Sequence, residues 1–136
     1  MNSVTINLKS IAFISLLTMS GLSYATQDCE KPNNSQQVFE CSKVASTIAN
    51  HVLNKAYKDL ISRIREQYLP APKLGDEYIE KIKKSQRTWI TLRDSDCEIE
   101  VFIIEPGTQA YETTKNHCAA RLTDARRSFL DSTSQH

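Results

Sequence analysis

Four cysteines are the residues of this 136-residue chain with the most distinctive chemistry: Cys29, Cys41, Cys97 and Cys118. An even number of cysteines in a short exported chain is typical of a disulfide framework, and four cysteines allow three pairings. Zinc binding is the competing use, but no two of these cysteines have the close C-x2-C spacing of zinc sites. We therefore expect two disulfides and no bound metal.

Histidines and carboxylates are the other side chains that could do chemistry. The three histidines are His51, His117 and His136. None of them has a nucleophile or carboxylate at a telling spacing, and a disulfide-bonded Cys118 beside His117 is not a nucleophile. Acidic pairs such as Asp76 and Glu77 are typical of a solvated helix face. With three glycines in all and no phosphate-binding loop, the sequence predicts a protein that is not an enzyme and uses no cofactor.

A long first helix must position much of this chain. Residues 35–68 contain no proline or glycine, and apolar residues recur there every four positions. These are Val44, Ile48, Val52, Ala56, Leu60 and Ile64, with Ala45, Ala49 and Leu53 beside them. The pattern predicts an amphipathic helix with this stripe facing the core. Asn34 or Ser35 would cap its start, and Pro70 and Pro72 would end it.

A linker over residues 70–75 is expected to lead into a second helix, which has acidic residues in its first turns as the helix dipole favours. One face of this helix combines apolar and polar residues: Ile79, Ile82, Gln86, Trp89, Ile90, Arg93 and Cys97. Residues 99–104 are strongly apolar, and we expect a last helical turn followed by an extended segment.

A third helix follows a turn signal at Glu105, Pro106 and Gly107, with Thr108 as its predicted cap. Its apolar stripe comprises Tyr111, Thr114, Cys118, Leu122, Ala125 and Phe129. The expected fold is therefore all-α: a small three-helix domain made of a long helix and an antiparallel helical hairpin, locked by two disulfides.

The hairpin also selects one cysteine pairing. Cys97 and Cys118 lie at similar distances on either side of the turn at Gly107, so an antiparallel hairpin brings them level. Cys29 then pairs with Cys41, which ties the amino-terminal segment to the start of the first helix.

The first 25 residues have the order of a secretory signal peptide. Lys9 precedes an apolar run over residues 11–19, and Ser23-Tyr24-Ala25 forms a small-x-small cleavage site. The run is too short and too interrupted by hydroxyl residues for a membrane span. Residues 26–28 do not fit a lipid-attachment signal before the first cysteine. We expect one domain over residues 26–136, located in the periplasm or secreted and not a lipoprotein.

Charge limits the class of partner. The chain has 17 basic and 16 acidic residues, and Lys9 is the only charged residue of the predicted signal peptide. The exported part is therefore balanced in charge, whereas nucleic acids and anionic membranes select proteins with a basic excess. We expect neither as a partner.

One thirteen-residue window carries a specific motif, S-Q-R-x-W-x-x-x-R-D-x-x-C. Its members are Ser85, Gln86, Arg87, Trp89, Arg93, Asp94 and Cys97. The window resembles the signature of the LprI-type lysozyme-inhibitor (N-terminal) domain family, and the likeness extends over about residues 28–130. The resemblance implies a small, all-helical, disulfide-bonded envelope protein, in a family with at least one member regarded as an inhibitor of lysozyme.

The motif itself has two interpretations. In the structural one, which we favour because Cys97 shares the face, Trp89 fills the centre of the core. Arg93 then lies over the indole or pairs with a carboxylate such as Asp59 or Asp124, and Gln86 satisfies helix backbone. In the other, Trp89 and Arg93 form an exposed binding hot spot.

A binding function fits these observations better than catalysis. The leading prediction is an inhibitor of lysozyme or another peptidoglycan-cleaving enzyme, and the alternative is an immunity or accessory envelope protein with a different protein partner. Candidate contact residues are Pro72, Lys73, Gly107 and Thr108, on the two predicted connectors. Lys73 on a proline-stiffened loop could offer a cation to the two carboxylates of a glycan-cleaving cleft.

Overall fold

The computed structural model of the protein describes residues 29–133 and contains three α-helices. They are α1 (Ser35–Gln67), α2 (Pro72–Glu100) and α3 (Gln109–Ser132), and no strand occurs among the described residues. The predicted all-α, three-helix class is confirmed. None of these helices is long and apolar enough to cross a membrane. The predicted signal peptide, residues 1–25, lies outside the described residues.

The helices run up, down and up, so that α1 and α3 are parallel and α2 is antiparallel to both. Near the start of these two helices, the Gln109 side chain donates to the Ser35 carbonyl. Towards their ends, the Arg63 guanidinium donates to the Leu130 carbonyl over 3.2 Å. The hairpin of α2 and α3 is antiparallel as predicted, yet α3 packs most extensively along α1.

Apolar packing is concentrated where α1 ends and α2 begins, a region called here the core end. Its buried cluster comprises Leu53, Ala56, Leu60, Ile61, Ile64, Ile79, Ile82 and Leu130. Tyr57, Tyr68, Tyr78 and Trp89 are partly buried against it. All three helices contribute, so burial of this cluster fixes their mutual arrangement.

The opposite end of the bundle is held by covalent bonds and is called here the disulfide end. Cys29 is bonded to Cys41, and Cys97 is bonded to Cys118, with Cα–Cα distances of 5.5 and 5.7 Å. This is the predicted pairing. The buried side chains here are small apart from Val101, so the bridges replace much of the stabilisation that a large apolar core would supply.

The predicted core stripe of α1 is wrong in its first half. Val44, Ile48 and Val52 are exposed, whereas Ala49 and Leu53 are buried. A helix turns by about 100° per residue, so each four-residue step advances the stripe by about 40° beyond a full turn. The stripe drawn from Val44 to Ile64 therefore winds around the helix, and only its second half faces α2 and α3.

The connectors also differ from expectation. Helix α2 begins at Pro72, because proline is well suited to the first helical position, so Lys73 and Gly75 are helical rather than in a linker. After α2, the chain makes successive tight turns in place of the predicted extended segment: Phe102 N–H donates to the Ile99 carbonyl, and Ile104 N–H to the Val101 carbonyl.

Both predicted helix caps on the parallel helices are present. Asn34 Oδ1 accepts from the Gln37 amide over 2.9 Å, and Thr108 Oγ1 accepts from the Tyr111 amide over 3.2 Å. Each side chain satisfies an amide that has no partner within its own helix.

Candidate functional site

Arg93 joins all three helices. From α2, its Nη1 donates to Asn50 Oδ1 on α1 over 3.1 Å and to Thr123 Oγ1 on α3 over 3.2 Å. Its Nη2 donates to the neighbouring Asp94 over 2.7 Å. The Arg93 side chain is only 13% exposed, and Thr123 is fully buried. A planar guanidinium with five donors suits this task, since one group can bind several acceptors in fixed directions.

Two guanidinium groups lie close to the Trp89 ring. The Cζ atoms of Arg93 and Arg126 are 5.3 and 5.7 Å from its ring centroid, within the range of cation–π attraction. Arg126, on α3, also donates to Gln86 Oε1 over 3.0 Å and to Ser85 Oγ over 2.8 Å. Partial burial lowers the pKa of the Arg126 guanidinium. The motif therefore connects α2 to α3 through side-chain contacts on one face.

These contacts support the structural interpretation of the motif and correct its details. Arg93 lies over Trp89 as expected, but its partners are those named above and not Asp59 or Asp124. Trp89 is half-buried beside the core cluster rather than at its centre. Gln86 accepts from an arginine of α3 and does not satisfy helix backbone.

Three partners of the motif were missed by the sequence reasoning: Asn50, Thr123 and Arg126. Asn50 and Arg126 border the apolar faces of their helices, as many surface residues do. Their partners lie on other helices, so no local spacing could have identified them.

A second cluster joins α2 to α3 beside the Cys97–Cys118 bridge. The Glu98 carboxylate accepts a hydrogen bond from Tyr111 Oη over 2.7 Å and forms a salt bridge with Lys115 Nζ. Lys115 and then Tyr111 hold the pKa of the Glu98 carboxyl below its ordinary value. The same carboxylate raises the pKa of Lys115 and of Tyr111.

The last turn of α2 and the turn that follows it expose three large apolar side chains, named here the apolar tip: Ile99, Phe102 and Ile103. They are 74%, 86% and 92% exposed, whereas Val101 between them is 1% exposed. Gly107 follows in the left-handed backbone region, with φ of 78°, which reverses the chain before Thr108 caps α3.

The four predicted contact residues are separated by the structure. Pro72 and Lys73 are exposed in the first turn of α2, at the core end, while Gly107 and Thr108 follow the apolar tip at the disulfide end. Helix α2 has 29 residues and so spans about 40 Å between the two ends. A single cleft in a partner protein cannot contact both, and Thr108 is already engaged as a helix cap.

Metal-binding groups do not assemble among residues 29–133. No three His, Cys, Asp or Glu side chains in that part of the chain could together hold a metal ion. His51 and His117 are exposed on separate helices, and His136 lies outside the described residues. All four cysteines are in disulfides.

Known proteins are similar to this chain in sequence. Residues 29–130 match the sequence profile of the family described as "Lysozyme inhibitor LprI". The chain is 27% identical over 106 residues to the uncharacterized protein R02472 of Rhizobium meliloti (strain 1021), covering 76% of each. It is 30% identical over 81 residues to the uncharacterized protein YecT of Escherichia coli (strain K12), covering 55% of this chain and 50% of that protein.

One solved structure has a fold similar to that of this chain. The crystal structure of a DUF1311 family protein from Pseudomonas putida KT2440 matches with a TM-score of 0.68 and 35% identity, over 76% of this chain and 100% of that one. DUF1311 is the LprI-like family. Two disulfides and this kinship are features of an extracytoplasmic protein, because disulfides persist outside the reducing cytoplasm. Since the family profile matches well over half of its length, the chain belongs to the LprI family.

Proposed function

We propose that this protein is an exported inhibitor of a lysozyme-type hydrolase that cleaves peptidoglycan. The observation that carries the proposal is the match of residues 29–130 to a family described as lysozyme inhibitors. The predicted signal peptide would deliver the protein to the periplasm or beyond, as a form cleaved after Ala25 and without a lipid anchor. The two disulfides suit that oxidising compartment.

The rigidity of the bundle supports this function. Lysozymes cut glycan in a cleft that holds two carboxyl groups, so a protein that occupies the cleft blocks the reaction. A preorganised projection does so with a small loss of conformational entropy. Both ends of the bundle project, and both are held in place: the core end by apolar packing, and the disulfide end by the Cys97–Cys118 bridge.

Each end offers a different kind of contact. At the core end, Lys73 is an exposed cation at the amino terminus of α2, where it adds to the positive end of the helix dipole and could approach carboxylates. At the disulfide end, the apolar tip offers uncharged surface. Lys73 is on a helix rather than on the projecting loop that the sequence suggested. This weakens the case for Lys73 as the side chain that blocks the cleft of the hydrolase.

The test is protection of a bacterial cell-wall suspension from lysozyme, followed as turbidity. We expect the oxidised protein to slow the loss of turbidity as its molar ratio to lysozyme increases. The matched control is the same protein reduced, alkylated and freed of reductant, because reductant would also attack the disulfides of a lysozyme. Absence of protection against c-, g- and i-type lysozymes at large molar excess would contradict the proposal and favour a different protein partner, such as a toxin.

A further inference from the structure

The apolar tip is the most exposed apolar surface in the described part of the chain. Ile103 and Phe102 are the two most exposed large hydrophobic side chains there, and Ile99 adjoins them. Soluble proteins seldom keep such side chains clustered in water, and clusters of this kind mark interaction sites. The tip residues do not belong to the buried cluster, which lies at the other end of the bundle, or to the partly buried side chains packed against it.

Its backbone is nevertheless fixed. Val101, one residue before Phe102, is buried, and its amide donates to the carbonyl of Cys97, which is bridged to Cys118. Phe102 N–H donates to the Ile99 carbonyl over 3.2 Å, and Ile104 N–H donates to the Val101 carbonyl over 2.9 Å. The tip is thus a preorganised projection, which loses little conformational freedom when it is bound.

The two carboxylates on the α2 side of the tip are compensated. Glu98 and Glu100 flank Ile99, and α3 supplies a cation to each, Lys115 and Arg121 respectively. On the α2 side the tip is therefore presented on paired carboxylates, whereas Glu105, exposed on the α3 side, has no ion pair among the described residues. A cleft that contains two carboxyl groups can accept the apolar side chains on the compensated α2 side.

We propose that the apolar tip is the surface that enters the substrate cleft of a lysozyme-type hydrolase. This inference rests on the proposed inhibitory function and names its contact surface. A concave partner is favoured over a second copy of this chain on grounds of area. An aromatic side chain offers about 150–250 Å², so one aromatic and two aliphatic side chains fall short of the roughly 800 Å² per partner in a stable interface. A cleft gains further area by enclosing the sides of the projection.

The variant that tests the inference is F102S/I103S, compared in the full chain with the control I48S and with K73E at the rival contact of the core end. I48S changes an exposed apolar residue on α1, and K73E changes the cation at the opposite end of the bundle. All four proteins should give the same circular dichroism and similar melting temperatures, since the altered side chains are exposed. In the turbidity assay with a c-type lysozyme, we expect the tip variant to raise the inhibition constant at least tenfold and the control I48S to change it less than twofold. A larger loss in K73E than in the tip variant would favour the core end as the contact surface.

The outcomes separate this inference from the proposed function. Undiminished inhibition by F102S/I103S, or a loss confined to I48S or K73E, overturns the tip as the contact surface and leaves the inhibitory function intact. Absence of inhibition by the wild-type protein overturns both.

A competition experiment tests entry into the cleft itself. An N-acetylglucosamine trimer, a fragment of glycan substrate, competes for the cleft in which a c-type lysozyme binds glycan. If the tip occupies the same space, saturating trimer should weaken binding of the protein at least tenfold in calorimetry. Simultaneous binding of both would overturn cleft entry, although inhibition from outside the cleft would still be possible.

Discussion

Arg93 illustrates how one side chain can determine the assembly of three helices. Its guanidinium binds Asn50 and Thr123, which are 43 and 30 residues away in the sequence, and it covers Trp89. Hydrogen bonds to charged groups contribute more than neutral ones, about 1.5–3 kcal/mol. Loss of a partner from a buried site also leaves the remaining polar groups unsatisfied.

We therefore expect Arg93→Ala to lower the free energy of unfolding by about 2–4 kcal/mol. The measurement is urea unfolding followed by circular dichroism, with attention to the midpoint at constant slope. The matched control is Arg121→Ala, which removes an exposed ion pair with Glu100 and should cost at most about 1 kcal/mol. Equal effects of the two variants would contradict the structural role of Arg93.

The cluster of Glu98, Tyr111 and Lys115 predicts a defined dependence on pH. Lys115 and Tyr111 lower the pKa of Glu98, so the ionised carboxylate stabilises the fold at neutral pH. This stabilising contribution is lost as the pH falls through the lowered pKa of Glu98. The pKa values of Lys115 and Tyr111 are raised by Glu98. Their contribution is therefore complete at neutral pH and is lost as the pH rises through the raised values.

Titration of the Glu98 carboxyl by NMR checks this assignment. In the variant Lys115→Met, which keeps the aliphatic stem but not the charge, the pKa of Glu98 should rise towards its ordinary value. In Glu98→Gln, the pKa of Tyr111 should fall towards its ordinary value, as read from its ultraviolet absorbance. Titration curves that are unchanged in both variants would show that the three groups do not interact in solution.

At the scale of elements, the approach of α2 to the end of α1 depends on a glycine. A Cβ added at Gly75 would lie 2.8 Å from Tyr68 Cβ, an atom fixed to the backbone that cannot rotate away. We expect Gly75→Ala to destabilise the fold by about 1–2 kcal/mol, because the overpacking outweighs the better helix propensity of alanine. Thermal unfolding measures the loss.

Gly107 provides the contrasting case. Nothing lies within 4 Å of a Cβ added there, but its φ of 78° is strained for most residues, so alanine should cost about 1–2 kcal/mol. Asparagine tolerates this backbone region, so Gly107→Asn should be milder than Gly107→Ala. At position 75 the order should reverse, because the larger side chain meets Tyr68. If the same substitution, alanine or asparagine, were the more destabilising one at both positions, the distinction between a steric cause at Gly75 and a backbone cause at Gly107 would be contradicted.

The whole molecule is stabilised differently at its two ends. Apolar packing holds the core end, while the two bridges, which link residues 12 and 21 apart in sequence, hold the disulfide end. A bridge that closes loops of this size contributes about 3 kcal/mol, chiefly by restricting the unfolded chain. The bundle should therefore lose its order from the disulfide end first.

Hydrogen exchange of the variant C97S/C118S tests this expectation. Amides near the end of α2 and the start of α3 should exchange faster than in the oxidised protein, while those around Leu60 in the core cluster should stay the most protected. The variant C29S/C41S serves as the comparison, with faster exchange confined to the start of α1. A uniform increase along all three helices would show that the bundle opens as one cooperative unit.

The sequence by itself determined the helix number, the turn positions and the disulfide pairing. These depend on local signals, such as proline and glycine at the turns, capping residues at helix starts, and cysteines equidistant from a hairpin turn. It also indicated the LprI family, because the motif from Ser85 to Cys97 is a local pattern. Periodicity placed the second half of α1 correctly, since Ala56, Leu60 and Ile64 are buried.

Only the tertiary structure decided which surfaces are free and which polar groups meet. A hydrophobic side chain is buried only if another element covers it. The apolar pattern therefore predicted burial for Val44 and Ile48, which are exposed. For the same reason, it did not predict that side chains within residues 99–104 would be exposed. In the fold, α3 packs most extensively along α1, and Val44 and Ile48 lie outside the buried side of α1. The partners of Arg93 were likewise undetermined, because each lies on another helix and its distance depends on how the helices pack.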